Sequence, residues 1–339
     1  MAGKAVDLNE YNGGPLVGTS IALLTTSWVA IGLRLYTRLV FVKSYNVDDW
    51  LILVAQLLFT SACVSALESV RYGVGKHNDA IPSLDDRVAA LMWQSITIAF
   101  YLLCMMFVKL SIGLFLLRLA TQKSYIWTLR IALVIVTLWT TVIFIWNMFQ
   151  CTPVQKQWDF RIRDGYCAGP DEVISAAYAL TVMVVLSDWF FALIPIPLLW
   201  GVDMTKQAKV TVIVILGLGV FASIATLIRL KFLAGLQSSE DLMFSVTDAT
   251  VWTLVEPGFA IIATSLATIR PLLRSLRIRG FLSTDRASTG RLSEPGTRNG
   301  YGSMPGYRSL HSVTGVTGVG IAMDEHPSPT NEDAGKKQT

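Results

Sequence analysis

Four ionisable side chains lie within stretches of the sequence that are otherwise strongly apolar: Lys109, Asp188, Arg229 and Glu256. A charge at the centre of a bilayer costs at least ~2.5–3.5 kcal/mol on insertion scales, so such residues usually face a bundle interior and pair with one another. Lys109 and Asp188 lie at a similar depth, which predicts an ion pair between them. Arg229 is expected to face Glu256 or Glu68. Such pairs mark a ligand pathway or a switch, or they only fix the register of helices.

Asp188 lies in the middle of the apolar stretch from Val173 to Trp200. As one helix this stretch would be roughly 40 Å long, which exceeds the ~30 Å of bilayer hydrocarbon. Pro195 and Pro197 cannot donate backbone hydrogen bonds and are expected to bend the last turns of that helix. The bend is either an ordinary kink in a span or part of a ligand or switch site.

The composition extends this apolar pattern to the whole chain. Of the 339 residues, 53% are hydrophobic and only 15% are charged, whereas a soluble domain has about 25% charged residues. Seven stretches are long enough, or nearly long enough, to cross a bilayer. They cover about 15–34, 49–68, 88–118, 127–150, 173–200, 208–233 and 246–269. The sequence therefore predicts an all-α membrane protein, a bundle of seven transmembrane helices in a lipid bilayer.

The distribution of arginine and lysine sets the predicted orientation. More basic residues follow the first, third, fifth and seventh spans than lie on the opposite side, and basic residues favour the cytoplasmic face. We expect residues 1–14 to be a short extracellular N-terminus, 15–273 the seven-helix domain and 274–282 a basic juxtamembrane segment. Residues 283–339, rich in Ser, Thr, Gly and Pro, are expected to form a disordered cytosolic tail.

Two helix starts can be read from capping residues. Asn46 followed by Asp49, and Ser83 followed by Asp86, have the spacing of an N-cap with an acid at the third helical position. Such a pair satisfies backbone N–H groups that have no partner within the helix and suits its positive end. These caps are expected to open the second and third spans.

Asp48 and Asp49 are adjacent acids at the predicted cytoplasmic start of the second span. Arg34 and Arg38 end the first span on the same side of the bilayer. We therefore expect these two acids to lie within reach of the two arginines.

The outward loop between the fourth and fifth spans carries Cys151 and Cys167. Two cysteines in one such loop can close a disulfide in an oxidising compartment, worth ~3 kcal/mol of loop restraint. The alternative is two free thiols. Cys63 and Cys104 fall inside spans and are expected to be packed thiols.

Several chemistries are disfavoured by the residues present. A retinal pigment needs a lysine in its last span, and the run Ala249 to Ile269 has none. The two Asp-Asp pairs, 48–49 and 85–86, fall on opposite faces of the bilayer and cannot share one metal ion. His77 is the only histidine outside the tail and is expected to be a loop residue, with a proton-sensing or ligand role as the alternative. We expect no cofactor, no metal site and no nucleic acid partner.

Six motifs occur along the chain in a characteristic order. They are RLYTRL with VDDW (34–39 and 47–50), RYGVGKH (71–77), YLLCMMFVKLSIGLFLLRL (101–119), CTPVQKQW with a later cysteine (151–158), SDWFFALIPIPLLW (187–200) and VWTLVEPG (251–258). In these motifs the chain resembles the fungal rhodopsin-domain integral membrane proteins, which include the satratoxin-cluster membrane protein and the seven-helix domain of appressorium-type receptors. We expect no counterpart here of the N-terminal cysteine-rich CFEM domain of those receptors. Tyr101, Gly73 and Gly75 become candidate functional residues through these motifs.

The resemblance implies a receptor-like protein of the plasma membrane or an endomembrane, in some cases encoded beside secondary-metabolite genes. We expect a small molecule to enter from outside into a cavity bounded by spans three, five, six and seven. Lys109, Asp188 and Glu256 would be its polar contacts, and the inner loops would report to a cytosolic signalling partner. The alternative is a transporter or a membrane-embedded enzyme that handles a fungal secondary metabolite.

Overall fold

Seven long helices make up most of the described part of the chain. The structure is a computed structural model and describes residues 11–43, 45–120, 122–194, 196, 206–235 and 242–268. The helices are α1 (Gly13–Tyr36), α2 (Val47–Arg71), α3 (Leu84–Leu119), α4 (Lys123–Met148), α5 (Pro170–Leu193), α6 (Lys206–Gly235) and α7 (Leu242–Thr268). Helix α1 continues into a π-helical segment, Thr37–Val42. The predicted juxtamembrane segment 274–282 and tail 283–339 lie outside the described residues.

Helices α2 and α3 begin where their capping residues predict. The backbone N–H of Asn46 donates to Asp49 Oδ2 at 3.2 Å, and α2 starts at the next residue. Ser83 Oγ accepts from the backbone N–H of Asp86 at 3.3 Å, and α3 starts at Leu84. Both predicted helix starts are confirmed, because each acid or hydroxyl satisfies a backbone donor that the first helical turn leaves free.

Helix α5 is shifted along the sequence relative to the predicted span 173–200. It begins three residues earlier, at Pro170, where a proline in the first turn needs no backbone donor. It ends at Leu193, two residues before Pro195. A proline restricts the residue before it and cannot bond back to the preceding turn, so helices usually end at this point. Pro195 and Pro197 lie outside the described residues, and the bend there stays a prediction.

The side chains are arranged as lipid requires, with apolar groups outside and polar groups inside. On α4, Leu138 and Val142 are both exposed, although each is strongly apolar. Polar groups instead pair within the bundle: Gln56 Nε2 donates to Ser27 Oγ at 2.9 Å, linking α2 to α1. Polar residues in membrane helices face the bundle interior because hydrocarbon offers them no hydrogen bonds.

Six helices of the described part are long and apolar enough to cross a membrane: α1 to α5 and α7. Helix α6 contains the charge-free run Val210 to Ile228 of the predicted sixth span. The chain is therefore a multi-pass membrane protein with seven helices in its bundle. Helix α1 packs against α2 and α7, α3 against α2, α4 and α7, and α6 between α5 and α7.

We call the end of the bundle that carries the α1–α2 and α3–α4 connections the inner end, because the arginine distribution predicts that it is cytosolic. The opposite end, the outer end, carries the loop between α4 and α5. This loop holds a two-stranded antiparallel sheet, β1 (Cys151–Thr152) paired with β2 (Tyr166–Cys167). A disulfide joins Cys151 to Cys167, which confirms the predicted pairing, and Cys63 and Cys104 are free and buried, as expected of packed thiols.

Arg161 organises the exposed tip of the outer loop. Its guanidinium donates to Asp159 Oδ1 at 2.9 Å and to Asp85 Oδ1, at the start of α3, at 2.6 Å. The hydrogen bonds from Arg161 hold the pKa of the Asp159 carboxyl below its ordinary value. The loop is thereby fastened to the outer end of α3 as well as closed by its own disulfide.

Candidate binding cavity

A cavity of about 100 Å³ lies among α3, α5, α6 and α7. Its lining is mostly apolar, with phenylalanine, leucine, isoleucine and alanine side chains. Its charged residues are Lys109 from α3, Asp188 from α5 and Glu256 from α7. These are the four helices and the three charged residues that the sequence predicts for a binding cavity. An apolar pocket with a few converging polar groups is the usual form of a small-molecule site.

Lys109 is held by three groups on one face of α5. Its Nζ lies 3.0 Å from Asp188 Oδ1 and 3.2 Å from the carbonyl oxygen of Val184, and it also donates to Ser187 Oγ. Residues three and four apart share a helix face, so positions 184, 187 and 188 all point at the same ammonium. The predicted ion pair between Lys109 and Asp188 is confirmed.

Glu256 meets a different partner from the one expected. Tyr101 in α3 donates its hydroxyl to Glu256 Oε2 at 2.9 Å, and the Arg229 guanidinium lies 5.0 Å from the centroid of the Tyr101 ring. Among the described residues no ion pair joins Arg229 to Glu256 or to Glu68, so that expectation is wrong in its direct form. Glu68 pairs instead with Arg71, at 3.6 Å. Arg229 and Glu256 thus contact the same Tyr101 side chain, Arg229 at the ring and Glu256 at the hydroxyl.

Two carboxylate oxygens near the cavity have no hydrogen-bond partner in the described structure: Asp188 Oδ2 and Glu256 Oε1. Glu256 is only 1% exposed, so bulk water does not replace the missing donor. A buried polar atom left without a partner costs about 1–3 kcal/mol, more when it is charged. Both residues line the cavity, so a donor bound there is a candidate partner for each of these oxygens.

Gly219 closes the side of the cavity between α5 and α6. A Cβ atom at this position would lie 2.7 Å from Ala192 Cβ and 3.3 Å from the backbone carbonyl oxygen of Asp188. Only glycine permits this approach of the two helices without a shift of the backbone. Helices α5 and α6 are consequently in close contact beside the Lys109–Asp188 pair.

An ionic cluster lies at the inner end, below the cavity. Arg34 donates from Nε to Asp49 Oδ1 and from an NH group to Asp48 Oδ2, both at 2.9 Å. Arg38 is 3.5 Å from Asp48 Oδ2, and Arg118 also pairs with Asp48. The predicted proximity of the two acids to Arg34 and Arg38 is confirmed, and Arg118 is an addition that joins α3 to the cluster.

Arg34 also connects this cluster to the cavity wall. Its NH1 group donates to the backbone carbonyl oxygen of Thr264 in α7 at 3.1 Å, and Thr264 lines the cavity. Both Arg34 and the acids it binds are almost fully buried. A displacement of α7 at the cavity would therefore change the hydrogen bonds of a buried arginine at the inner end.

The motif residues Gly73, Gly75 and His77 lie away from the cavity, at the outer end. Gly73 and Gly75 have positive φ angles of 124° and 96°, which glycine adopts without strain. The backbone N–H of Gly75 donates to the carbonyl oxygen of Met243 in α7 at 3.0 Å. His77 is a loop residue as expected, but it is buried and stacks on Phe244 with ring centroids 4.5 Å apart. A proton-sensing role for it stays a prediction.

Sequence reasoning missed Thr264, which lines the cavity, and Ser187, which accepts a hydrogen bond from Lys109. Both are small polar residues with their hydroxyls bonded to their own helix, Ser187 to Val184 and Thr264 to Ala260, so nothing in the sequence separates them from other serines and threonines in membrane helices. The position of Ser187 directly before Asp188 is the one signal that could have identified it.

Comparison with known proteins identifies relatives over most of the chain. The model of the family described as Fungal rhodopsin domain matches residues 33–275. Polyenoic acids biosynthesis gene cluster protein Ba17b of Metarhizium anisopliae is 22% identical, over 79% of this chain and 76% of its own length. Fugralins biosynthesis cluster protein 2 of Gibberella zeae is 25% identical, over 71% of this chain and 61% of its own.

A third relative and the solved structures complete the comparison. A SAT4 family membrane protein of Emericella nidulans is 28% identical, over 50% of this chain and 44% of its own length. The match thus spans less than two thirds of the second and third relatives. No solved structure gives a significant match.

Proposed function

We propose that this chain, which belongs to the fungal rhodopsin domain family, is a receptor-like membrane protein that senses a small molecule. The observation that carries the proposal is the cavity among α3, α5, α6 and α7, where buried charges are arranged around apolar walls. Burying Lys109, Asp188 and Glu256 costs stability, and intramembrane ions of this kind usually serve a site or a switch. The proposed ligand is not a retinal bound as a Schiff base, because α7 contains no lysine.

The ligand would act by donating hydrogen bonds to the two carboxylate oxygens that have no partner. Asp188 Oδ2 is on α5 and Glu256 Oε1 is on α7, so one bound molecule would tie two helices together. Pro257, next to Glu256, lies inside α7 and lacks the N–H that would bond to the preceding turn. A helix with a missing backbone bond beside the site is suited to two arrangements of similar energy.

The inner end would carry the response. A shift of α7 reaches the ionic cluster through the Thr264 carbonyl and Arg34. Arg118 is 42% exposed in its side chain although it pairs with the fully buried Asp48. Its guanidinium is therefore both part of the cluster and accessible to a cytosolic partner. The inner loops would complete the surface that such a partner reads.

The names of two relatives suggest what kind of molecule is involved. Both are described as products of biosynthesis clusters, for polyenoic acids and for fugralins. A cavity with apolar walls suits a lipophilic secondary metabolite. The same names also fit a transporter or membrane-embedded enzyme for such a metabolite, with Asp188 as the proton or substrate site, and this is the second candidate function.

Photo-crosslinking in the expressing fungus tests whether the cavity holds a small molecule. Phe115, which lines the cavity, is replaced by the photoreactive p-benzoylphenylalanine, and Trp127, exposed on the lipid-facing side of α4, is replaced in the control. After irradiation, the adducts on the purified full chain are identified by mass spectrometry. We expect a small-molecule adduct at position 115 that is absent at position 127. Membrane phospholipid alone at both positions would refute the binding site.

Transport of the captured molecule separates the two candidate functions. The chain is shortened after Asp285, the last residue of the first of its two units, and reconstituted in liposomes. A sensor should bind the molecule without moving it across the bilayer, whereas a carrier should move it even without the tail. Accumulation of the molecule inside the liposomes would refute the sensor function and support the transporter function.

A further inference from the structure

We propose that the cavity opens sideways into the bilayer between α6 and α7, through a portal formed by Phe221 and Phe259, and that its ligand is a lipid-dissolved molecule with a hydrogen-bond donor at one end. This inference rests on the proposed function, since it concerns the same cavity. It replaces the expected entry from the outer aqueous side.

The two portal residues face both the cavity and the lipid. Phe221 from α6 and Phe259 from α7 line the cavity, yet they are 36% and 39% exposed on the surface of the bundle. Their ring centroids lie 4.6 Å apart. Since both residues lie within apolar spans, the surface they share is covered by acyl chains. Two side chains are thus all that separates the cavity from lipid at this point.

Contacts between α3 and α7 obstruct the route from the outer end. Tyr101 bonds to Glu256 at the outer side of the cavity. Closer to the outer end, Gln94 Nε2 donates to Thr250 Oγ1 at 2.7 Å. A ligand that enters between α3 and α7 from the outer aqueous phase would have to break both of these buried hydrogen bonds. The side between α5 and α6 is closed by the contact of Gly219 with Ala192.

The chemistry of the cavity selects among lipid-dissolved molecules. Lys109 and Arg229 balance Asp188 and Glu256 in charge, so a neutral ligand meets no net charge. The free acceptors on the two carboxylates call for a donor, such as a hydroxyl group. At about 100 Å³ the cavity is smaller than the ~300 Å³ or more of most ligand sites. It would therefore hold a compact polar head, with the apolar remainder of the molecule extending through the portal into lipid.

Cysteine labelling in nanodiscs tests the portal without knowledge of the natural ligand. Ala263, a buried cavity residue, is changed to cysteine in the full chain. Its labelling rate is measured by peptide mass spectrometry with two probes: lipid-soluble N-cyclohexylmaleimide and a sulfonated maleimide confined to water. We expect the lipid-soluble reagent to label the site and the sulfonated reagent to label it much more slowly.

A smaller side chain in the portal should then raise the rate at which the lipid-soluble reagent labels the cysteine. Loss of an aromatic pair in Ala263→Cys/Phe221→Ala is expected to raise its labelling rate about two- to tenfold. The matched control is Ala263→Cys/Ile224→Ala, which shortens an equally apolar, exposed residue of α6 that does not line the cavity, and should leave the rate unchanged. If Phe221→Ala fails to fold, Phe259→Leu provides the same comparison from α7.

Two results would overturn the portal. One is equal labelling by both reagents, which would mean entry from water. The other is an equal rate in the portal and control variants, which would mean entry elsewhere in the bilayer. Both readings are independent of the photo-crosslinking result, because the maleimide needs a path into the cavity but no natural ligand. The labelling experiment can therefore refute the portal without refuting the sensor function, and the photo-crosslinking experiment can do the reverse.

Discussion

Removing the Lys109 ammonium alone should destabilise the protein more than removing it together with its partner. In Lys109→Met the Asp188 carboxylate loses the group 3.0 Å away that compensates its charge and remains largely buried. In Asp188→Leu the ammonium keeps only two neutral acceptors, the Val184 carbonyl and Ser187 Oγ. The double variant Lys109→Met/Asp188→Leu leaves no uncompensated ion at this place.

The expected magnitudes separate the variants clearly. Breaking a buried pair by removing one partner costs about 3–5 kcal/mol, whereas replacing both partners by apolar side chains is often close to neutral. If the two residues acted independently, the double variant would lose the sum of the single costs. We expect it instead to lie within ~2 kcal/mol of the natural chain.

The assay is thermal unfolding of the purified full chain in one detergent. At about 2–4 °C per kcal/mol for a domain of this size, each single variant should lose roughly 10 °C in Tm, and the double variant should recover most of it. Expression level serves as the readout if a single variant cannot be purified. The matched control is Arg71→Met, because the Arg71 side chain is 75% exposed in its ion pair with Glu68 and such pairs contribute little. A double variant no more stable than the singles would refute the pairing.

Three further predictions concern other parts of the bundle. Tyr101→Phe removes the donor to Glu256 and should cost about 1–3 kcal/mol, because a second buried carboxylate oxygen loses its partner; thermal unfolding measures this loss. Arg34→Lys should also cost about 1–3 kcal/mol, because one ammonium cannot reproduce the three directed bonds of the guanidinium, and a Tm equal to that of the natural chain would contradict it. The pKa of Asp159 is lowered from its ordinary value of 3.8 by Arg161, so its contribution to loop stability is present above pH 3.8 and is lost as the pH falls through the lowered pKa. Hydrogen exchange of the outer loop should therefore differ between the natural chain and Arg161→Ala above pH 3.8 and converge only below the lowered pKa, whereas a difference that persists into strong acid would contradict the assignment.

The depth of a residue in the bilayer could be predicted from the sequence. Counting along each apolar stretch placed Lys109 and Asp188 at one level, and the ion pair is present. The capping residues Asn46 and Ser83 located two helix starts, because N-caps act within one turn of the chain.

The direction in which a side chain points around its helix could not be predicted in the same way. Arg229 is at a suitable depth for Glu256, but each of the two residues contacts Tyr101 and no ion pair joins them among the described residues. Arg118 on α3 pairs with Asp48 on the neighbouring helix α2. That contact depends on how the two helices are rotated relative to each other. A single sequence contains the periodicity of each helix but not the rotation of one helix relative to its neighbour.

The proposed function depends on the binding of a small molecule in the cavity lined by Glu256 and Asp188, and this binding can be measured directly. The molecule recovered by photo-crosslinking is added to the purified full chain in nanodiscs, and Tm is recorded for the natural chain and for Glu256→Gln. This substitution keeps the shape and the bond from Tyr101 but replaces the free acceptor by an N–H donor. At a hundredfold excess over Kd the ligand stabilises the folded chain by ~2.7 kcal/mol, so we predict a rise of roughly 5–10 °C in the natural chain and little or none in Glu256→Gln. An equal rise in both chains, or a rise in neither, would contradict binding at this cavity.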